Sequence, residues 1–154
     1  MIKVDTLKKE FEQYLKDNDI QFVNLNNVHK NLSIPMYMLN LKLIDETKGI
    51  IMETPATVVI LPSSNIMYFD AFNIYHSNKR NIVKTLKIIN SMNQIPLPGK
   101  FIMDDENYVG YRCMFDYKNI DNTINSDLCD IIDSILPACY LFIEKLNGDN
   151  NEGQ

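Results

Sequence analysis

Residues 126–146 read SDLCDIIDSILPACYLFIEKL, and this stretch carries the clearest structural signal in the chain. Its large apolar residues recur every three or four positions, so at the α-helical period they fall within about 140° of arc. The residues on this face are Leu128, Ile131, Ile132, Ile135, Leu136, Cys139, Phe142, Ile143 and Leu146. We therefore predict a long amphipathic helix that anchors the fold, with Pro137 on its opposite side.

Two further helices are predicted from the same periodicity. They cover residues 5–17 and 79–93, and the prolines and glycine of residues 96–99 end the second one. Their apolar faces consist of Leu7, Phe11, Tyr14 and Leu15 in the first helix and of Ile82, Leu86 and Ile89 in the second.

The segments between the helices are typical of strands. In residues 37–43 apolar positions alternate with a period of two, which indicates a half-buried strand. The other candidates are residues 20–25, 57–61 and 66–75 and a hairpin formed by residues 100–104 and 108–117. Because the turns are short, the strands should pair antiparallel. The sequence predicts one α+β domain over residues 1–146, in the order α-β-β-β(-β)-α-β-β-α, followed by a polar tail at 147–154.

Composition narrows the class of protein. The 154 residues carry a net charge of −5, and no apolar run approaches the ~20 residues that span a bilayer. The amino terminus is charged throughout and contains no apolar segment of the kind found in signal peptides. The cysteines are three, an odd number, at 113, 129 and 139. We expect a cytoplasmic protein in a reducing compartment, with no membrane association. The richness in Asn, Ile and Lys is typical of AT-rich bacterial genomes.

No catalytic, cofactor-binding or metal-binding set stands out. His29 and His76 are the only histidines, and neither has ligands at metal-site spacing. A nucleophile pair of Cys113 with His76 leaves open an enzyme with a non-obvious site. Cys113 belongs to the apolar alternation of a strand, however, where a free cysteine usually acts as a small hydrophobe. We expect no enzyme activity and no cofactor.

The charge is unevenly distributed. Residues 76–103 carry five basic and no acidic side chains, whereas residues 104–154 carry three basic and eleven acidic ones, a net −8. Four of the cations share one arc of the second helix, namely Lys79, Arg80, Lys84 and Lys87. This basic face could bind an acidic protein or, alternatively, nucleic-acid phosphates. The simpler interpretation is a solvated helix face, and the overall acidity makes nucleic acid the weaker alternative.

One run resembles a known family. Residues 88–101 read IINSMNQIPLPGKF, similar to the YbjN family's helix ending in L-N-x-x-N followed by L-P-x-G-x-F and a strand. Tyr111 and Arg112 resemble an aromatic–Arg pair on that family's next strand. The family shares the fold of type III secretion chaperones. The resemblance implies an antiparallel sheet packed by helices, a chaperone-like or regulatory role without catalytic residues, and frequent homodimers.

Self-association has weaker support from the residues themselves. Tyr140 and Leu141 lie outside the apolar arc of the last helix and next to Pro137. A lone domain does not need apolar side chains there, so we place them in a partner-binding surface together with the basic face. The sequence thus predicts a non-catalytic protein-binding domain that forms a homodimer, and the partner is not specified.

Overall fold

The computed structural model describes residues 2–118 and 126–151. In chain order the elements are α1 (Val4–Asp17), β1 (Gln21–Asn24), α2 (Leu25–Val28), β2 (Met36–Asp45), β3 (Gly49–Leu61), β4 (Ile66–His76), α3 (Ile82–Asn93), β5 (Lys100–Met103), β6 (Tyr108–Asp116) and α4 (Ser126–Asn151). The α+β class and the antiparallel pairing are confirmed, and the fourth strand before α3 is present. The single turn of α2 is an addition, because its four residues are too few to show a helical period.

The six strands form one sheet in the order β1-β2-β3-β4-β6-β5. Each neighbouring pair is antiparallel. The strands at the two ends of the sheet are therefore β1 and β5, and both have only four residues.

Helices cover one face of this sheet. The helix α1 inserts Phe11, whose ring centroid lies 5.3 Å from that of Tyr37 and 6.2 Å from that of Phe69. The helix α4 packs on four strands and against α3. The apolar face predicted for α4 is confirmed, since Leu128 and Ile135 are fully buried.

The opposite face of the sheet has a mixed surface. Met114 is exposed, and Tyr68 is half-buried. Two positions along the same strands, Arg112 donates to both carboxylate oxygens of Asp70, at 2.8 and 2.9 Å, and its guanidinium lies 5.7 Å from the centroid of the Tyr68 ring. Antiparallel sheets commonly pack one face and expose the other. Within the described residues, no helix has both the length and the apolar character needed to cross a bilayer.

The predicted bounds of two elements, β3 and α4, were wrong. The strand β3 begins at Gly49 rather than at 57, with Pro55 inside it. Proline is tolerated at this position because β3 pairs with β4 only from Ala56 onward. The helix α4 extends to Asn151, so residues 147–151 are helical and do not belong to a tail. Residues 152–154 of the predicted tail lie outside the described residues.

The second predicted helix is shorter and rotated. It begins at Ile82, so the predicted start at 79 was wrong. The predicted apolar side was also wrong in part, because Leu86 is 40% exposed. Thr85 is buried instead, and its hydroxyl bonds to the Ser77 hydroxyl at 2.9 Å and donates to the Asn81 carbonyl at 2.9 Å. These hydrogen bonds satisfy a polar side chain that hydrophobicity alone would place outside.

Candidate peptide-binding edge of the sheet

The strand β2 is longer than the strand beside it. It has ten residues, and the four of β1 pair only with Tyr37 to Asn40. Residues 41–45 have β3 on one side. On their other side, no strand from the described residues pairs with them. We call this side of residues 41–45 the open edge.

The phase of the ladder shows which backbone groups face the open edge. The N–H of Ile60 in β3 donates to the carbonyl of Pro35, at 3.0 Å. In an antiparallel ladder the N–H and C=O of one residue point to the same side, and successive residues alternate. Odd-numbered residues of β2 therefore bond to β3. The register shift between Leu43 and Ile44 puts the extra residue, Ile51, in β3, so the alternation along β2 continues to Asp45. The N–H and C=O groups of Lys42 and Ile44 face the open edge.

The turn after α1 explains why β1 does not continue alongside. Asp19 has a left-handed φ of 54°, and the N–H of Ile20 donates back to the carbonyl of Leu15 at 2.9 Å. This geometry brings the chain out of the helix and into β1 at Gln21. The strand therefore begins opposite Asn40 and leaves the rest of β2 without a neighbour.

A groove of about 500 Å³ lies beside the open edge. Its walls come from the turn after α1, from β2 and from α4. It is lined by Asn18, Asp19, Ile20, Gln21, Asn40, Leu41, Lys42, Leu43, Ile44, Ile132, Asp133, Leu136 and Pro137. Among these, Leu41, Ile132 and Leu136 are buried, which gives the groove an apolar floor. Ile44 is 68% exposed at the outer end.

A tight turn holds the far end of the open edge. The Asp45 carboxylate accepts the N–H of Thr47 at 2.8 Å, the Thr47 hydroxyl at 2.7 Å and the N–H of Lys48 at 2.9 Å. These hydrogen bonds lower the pKa of Asp45. Gly49 follows with a φ of 77°, which suits a residue without a side chain. The edge is thus fixed at both ends.

Two other strand edges are closed by asparagine side chains. The amide of Asn93 donates to the carbonyl of Phe101 at 2.9 Å and accepts its N–H at 2.8 Å, as a neighbouring strand would. The amide of Asn26 likewise accepts the N–H of Met36 at 2.8 Å and donates to the carbonyl of Ile34 at 2.8 Å. These contacts protect the outer side of β5 and the start of β2.

Two of the predicted partner-binding residues follow the groove-lining Pro137 along α4. Tyr140 and Leu141 are three and four residues after Pro137, so all three share one side of α4. Tyr140 is half-buried and Leu141 is 37% exposed. Pro137 lines the groove, whereas Tyr140 and Leu141 are not among its lining residues.

The four predicted cations lie elsewhere. Lys79 and Arg80 are exposed in the turn before α3, where the Asn78 side chain accepts the N–H of Arg80 at 3.0 Å. Lys84 is half-buried and Lys87 is exposed on α3 itself. That helix packs on β5, five strands from β1 and so roughly 24 Å across the sheet. The prediction of one basic helical face was therefore wrong, and the structure does not bring these cations to the groove.

Cys113 and His76, the nucleophile pair considered from the sequence, do not come together. Burial raises the pKa of Cys113 to about 11 and that of Cys139 to about 12. His76 is exposed at the end of β4, where its Nε2 lies 3.1 Å from the Glu106 carbonyl. It pairs with Tyr108, five residues before Cys113 along β6, or roughly 17 Å away. In residues 2–118 and 126–151, no three His, Cys, Asp or Glu side chains are placed to hold a metal ion.

The groove itself was not predicted from the sequence. The predicted segments, residues 37–43 and 20–25, are nearly equal in length, so the sequence pattern gave no sign of an unpaired edge. Comparison with protein-family models, curated proteins and solved structures finds no match to this chain.

Proposed function

We propose that this protein is a non-catalytic protein-binding domain that accepts an extended segment of a partner as an added strand of its sheet. The observation that carries the proposal is an unpaired strand edge beside an apolar groove. A chaperone-like role, which the family resemblance implies, fits a protein that holds another chain in extended form.

Backbone hydrogen bonds supply the first part of the binding energy. The N–H and C=O groups of Lys42 and Ile44 offer two donors and two acceptors to a strand placed beside them. Each such bond contributes about 0.5–1.5 kcal/mol net. The five positions from 41 to 45 span roughly 17 Å, which suits a segment of about five residues.

The groove supplies the second part. Alternate side chains of an added strand point to the same face of the sheet as Leu41 and Leu43. On that face they contact Ile132 and Leu136 of α4. Burial of apolar area there contributes about 25 cal/mol per Å². Main-chain pairing thus gives affinity, and the groove adds a preference among side chains.

The closed edges support a binding role for the open one. Unpaired strand edges promote aggregation, and natural proteins usually cover them. This chain covers two edges with the amides of Asn93 and Asn26. Residues 41–45 keep an uncovered edge, and the groove beside it makes this edge the place where we expect a partner to bind.

The cellular compartment and the oligomeric state are part of the proposed function. We place the protein in the cytoplasm because all three cysteines are free and two of them are buried. A homodimer that uses Tyr140 and Leu141 is compatible with peptide binding, since neither residue lines the groove. Nucleic-acid binding is the weaker alternative, because the structure does not gather the four cations on one helical face.

Proline at position 44 tests the proposal. Ile44→Pro removes an N–H that faces the open edge, and proline is tolerated on strand edges. Glu46→Pro is the matched control, since proline suits this turn position. On an array of eight-residue peptides with alternating β-branched residues, we expect wild type and Glu46→Pro to bind a shared set that Ile44→Pro does not bind.

Amide hydrogen exchange provides the second measurement. In the free protein we expect the amides of Lys42 and Ile44 to exchange much faster than those of Leu41 and Leu43, and to slow when a peptide binds. Equal protection of all four amides in the free protein would refute the open edge. A wild-type dimer that becomes a monomer in Ile44→Pro would show that a second copy occupies the edge, and this would also overturn the proposal.

A further inference from the structure

The charges around the groove are separated by face. Asp19 ends the turn after α1 and Asp133 projects from α4, and both side chains are exposed. These two helices lie on the covered face of the sheet. Lys42 alternates with the buried Leu41, so it lies on the opposite face, where Glu53 of β3 is its cross-strand neighbour. Of the charged residues that line the groove, Asp19 and Asp133 therefore lie on the face that entering side chains meet, and Lys42 lies on the opposite face.

The backbone of α4 adds an acceptor at the same place. Pro137 has no N–H, so the carbonyl of Asp133, four residues earlier, lacks the donor that a helix normally provides. The carboxylate and this carbonyl of Asp133 belong to one residue of the groove wall. The charge of Asp133 also acts on Tyr14 in α1, whose pKa is raised first by burial and next by this carboxylate.

An added strand would present its side chains in two rows. Those opposite Leu41 and Leu43 enter the groove, and those opposite Lys42 and Ile44 lie on the open face. A long basic side chain in the first row can lay its methylene groups on Ile132 and place its charge at the carboxylates. An apolar side chain in the second row lies beside the exposed Ile44 and avoids a second cation next to Lys42.

We propose that the partner segment is basic and apolar in alternation, with lysine or arginine side chains that reach Asp19 and Asp133. This inference rests on the proposed strand addition and specifies its partner. The same carboxylates disfavour acidic segments.

Two labelled synthetic peptides test the inference by fluorescence anisotropy at low salt. Both have eight residues, one alternating lysine with valine and the other glutamate with valine. We expect the lysine peptide to bind roughly tenfold more tightly, and the difference to narrow as salt rises. The double variant Asp19→Lys, Asp133→Lys should reverse the preference. The matched control is the double variant Asp105→Lys, Glu106→Lys in the turn between β5 and β6. It changes the net charge by the same amount and should not reverse the preference.

The outcomes separate this inference from the proposed function. Equal binding of both peptides, each lost in Ile44→Pro, would overturn the charge preference and leave strand addition standing. If the preference for the lysine peptide reverses in both double variants, the effect comes from net charge, and the proposed charge preference of the groove is overturned. If neither peptide binds, or if Ile44→Pro does not alter the binding of the peptides, strand addition and the inference are both overturned. The milder Asp133→Asn, which removes one charge, should reduce the preference without reversing it.

Discussion

At one end of the sheet, the Asn93 amide lies along β5 and bonds to both backbone groups of Phe101. At the other end, the corresponding groups of Lys42 and Ile44 face a groove. The closed edge also has a dense aromatic backing, since the Phe101 ring stacks on Phe142 at 5.0 Å. The open edge has only the apolar floor beneath it.

The difference shows that an edge can be closed without another strand. One carboxamide carries a donor and an acceptor and therefore replaces a peptide group. Asn26 repeats the arrangement at the start of β2, the same strand whose end is open. Whether an edge is closed thus depends on which side chain lies next to it. The Asn26 amide closes the start of β2 and leaves the edge of residues 41–45 open.

The largest expected effect compares one apolar side chain at each edge. Phe101→Ala should cost about 3–5 kcal/mol of unfolding free energy, because the buried ring contacts Phe142 and Tyr111. Ile44→Ala should change it by less than about 0.5 kcal/mol, since this side chain is mostly exposed. Urea unfolding followed by circular dichroism measures both. Similar losses at the two positions would show that the edges do not differ in packing.

The next effect compares two glycines. A methyl group at Gly99 would lie 2.5 Å from the Arg112 carbonyl and 2.7 Å from Cys113 and Tyr111. Gly99→Ala should therefore cost about 1–3 kcal/mol through overpacking. Gly49→Ala meets nothing within 4 Å and should cost only about 1 kcal/mol for its left-handed backbone.

Gly49→Asn is the control for the glycine comparison, because asparagine tolerates the left-handed region and should restore most of the loss. Thermal unfolding of the three variants measures the order. A larger loss at Gly49 than at Gly99 would contradict the tight packing of the closed edge.

A smaller effect comes from opening the closed edge. Asn93→Ala leaves the N–H and C=O of Phe101 without their partner and should cost about 1–2 kcal/mol. The Phe101 amide should then exchange faster with solvent. Asn90→Ala, one turn earlier and exposed, is the matched control and should change little. An unchanged denaturation midpoint in Asn93→Ala would mean that the amide does not close the edge.

The smallest effect concerns the turn beside the open edge and depends on pH. The hydrogen bonds from Thr47 and Lys48 lower the pKa of Asp45 in the folded protein. A lowered folded-state pKa means that the charged carboxylate stabilises the fold above its ordinary value of about 4, and that this stabilisation is lost as pH falls further.

Asp45→Ala should therefore lower stability near neutral pH, and its difference from wild type should shrink between about pH 5 and pH 3. Asp45→Asn keeps an acceptor but no charge, so its own contribution should not vary over this range. Urea unfolding at several pH values gives the comparison. A constant difference between wild type and Asp45→Ala would contradict the assigned role of the charge.

The sequence by itself determined the type of each main element. The apolar stripe from Leu128 to Leu146 and the alternation of residues 37–43 are periodic along the chain, and periodicity is a local property that one segment displays alone. Turn length is also a local property, and short turns between strands predicted the antiparallel pairing. The bounds were less secure, as Pro55 in β3 and the extension of α4 to Asn151 show.

Only the tertiary structure decided which surfaces are free. Leu86 is exposed because Thr85 finds hydrogen-bond partners in Ser77 and Asn81 and takes the buried side. The open edge exists because the turn at Asp19 starts β1 opposite Asn40. Its groove joins β2 to Ile132 and Leu136, about ninety residues later in the chain. No local pattern contains these relations, because they depend on which segments meet in space.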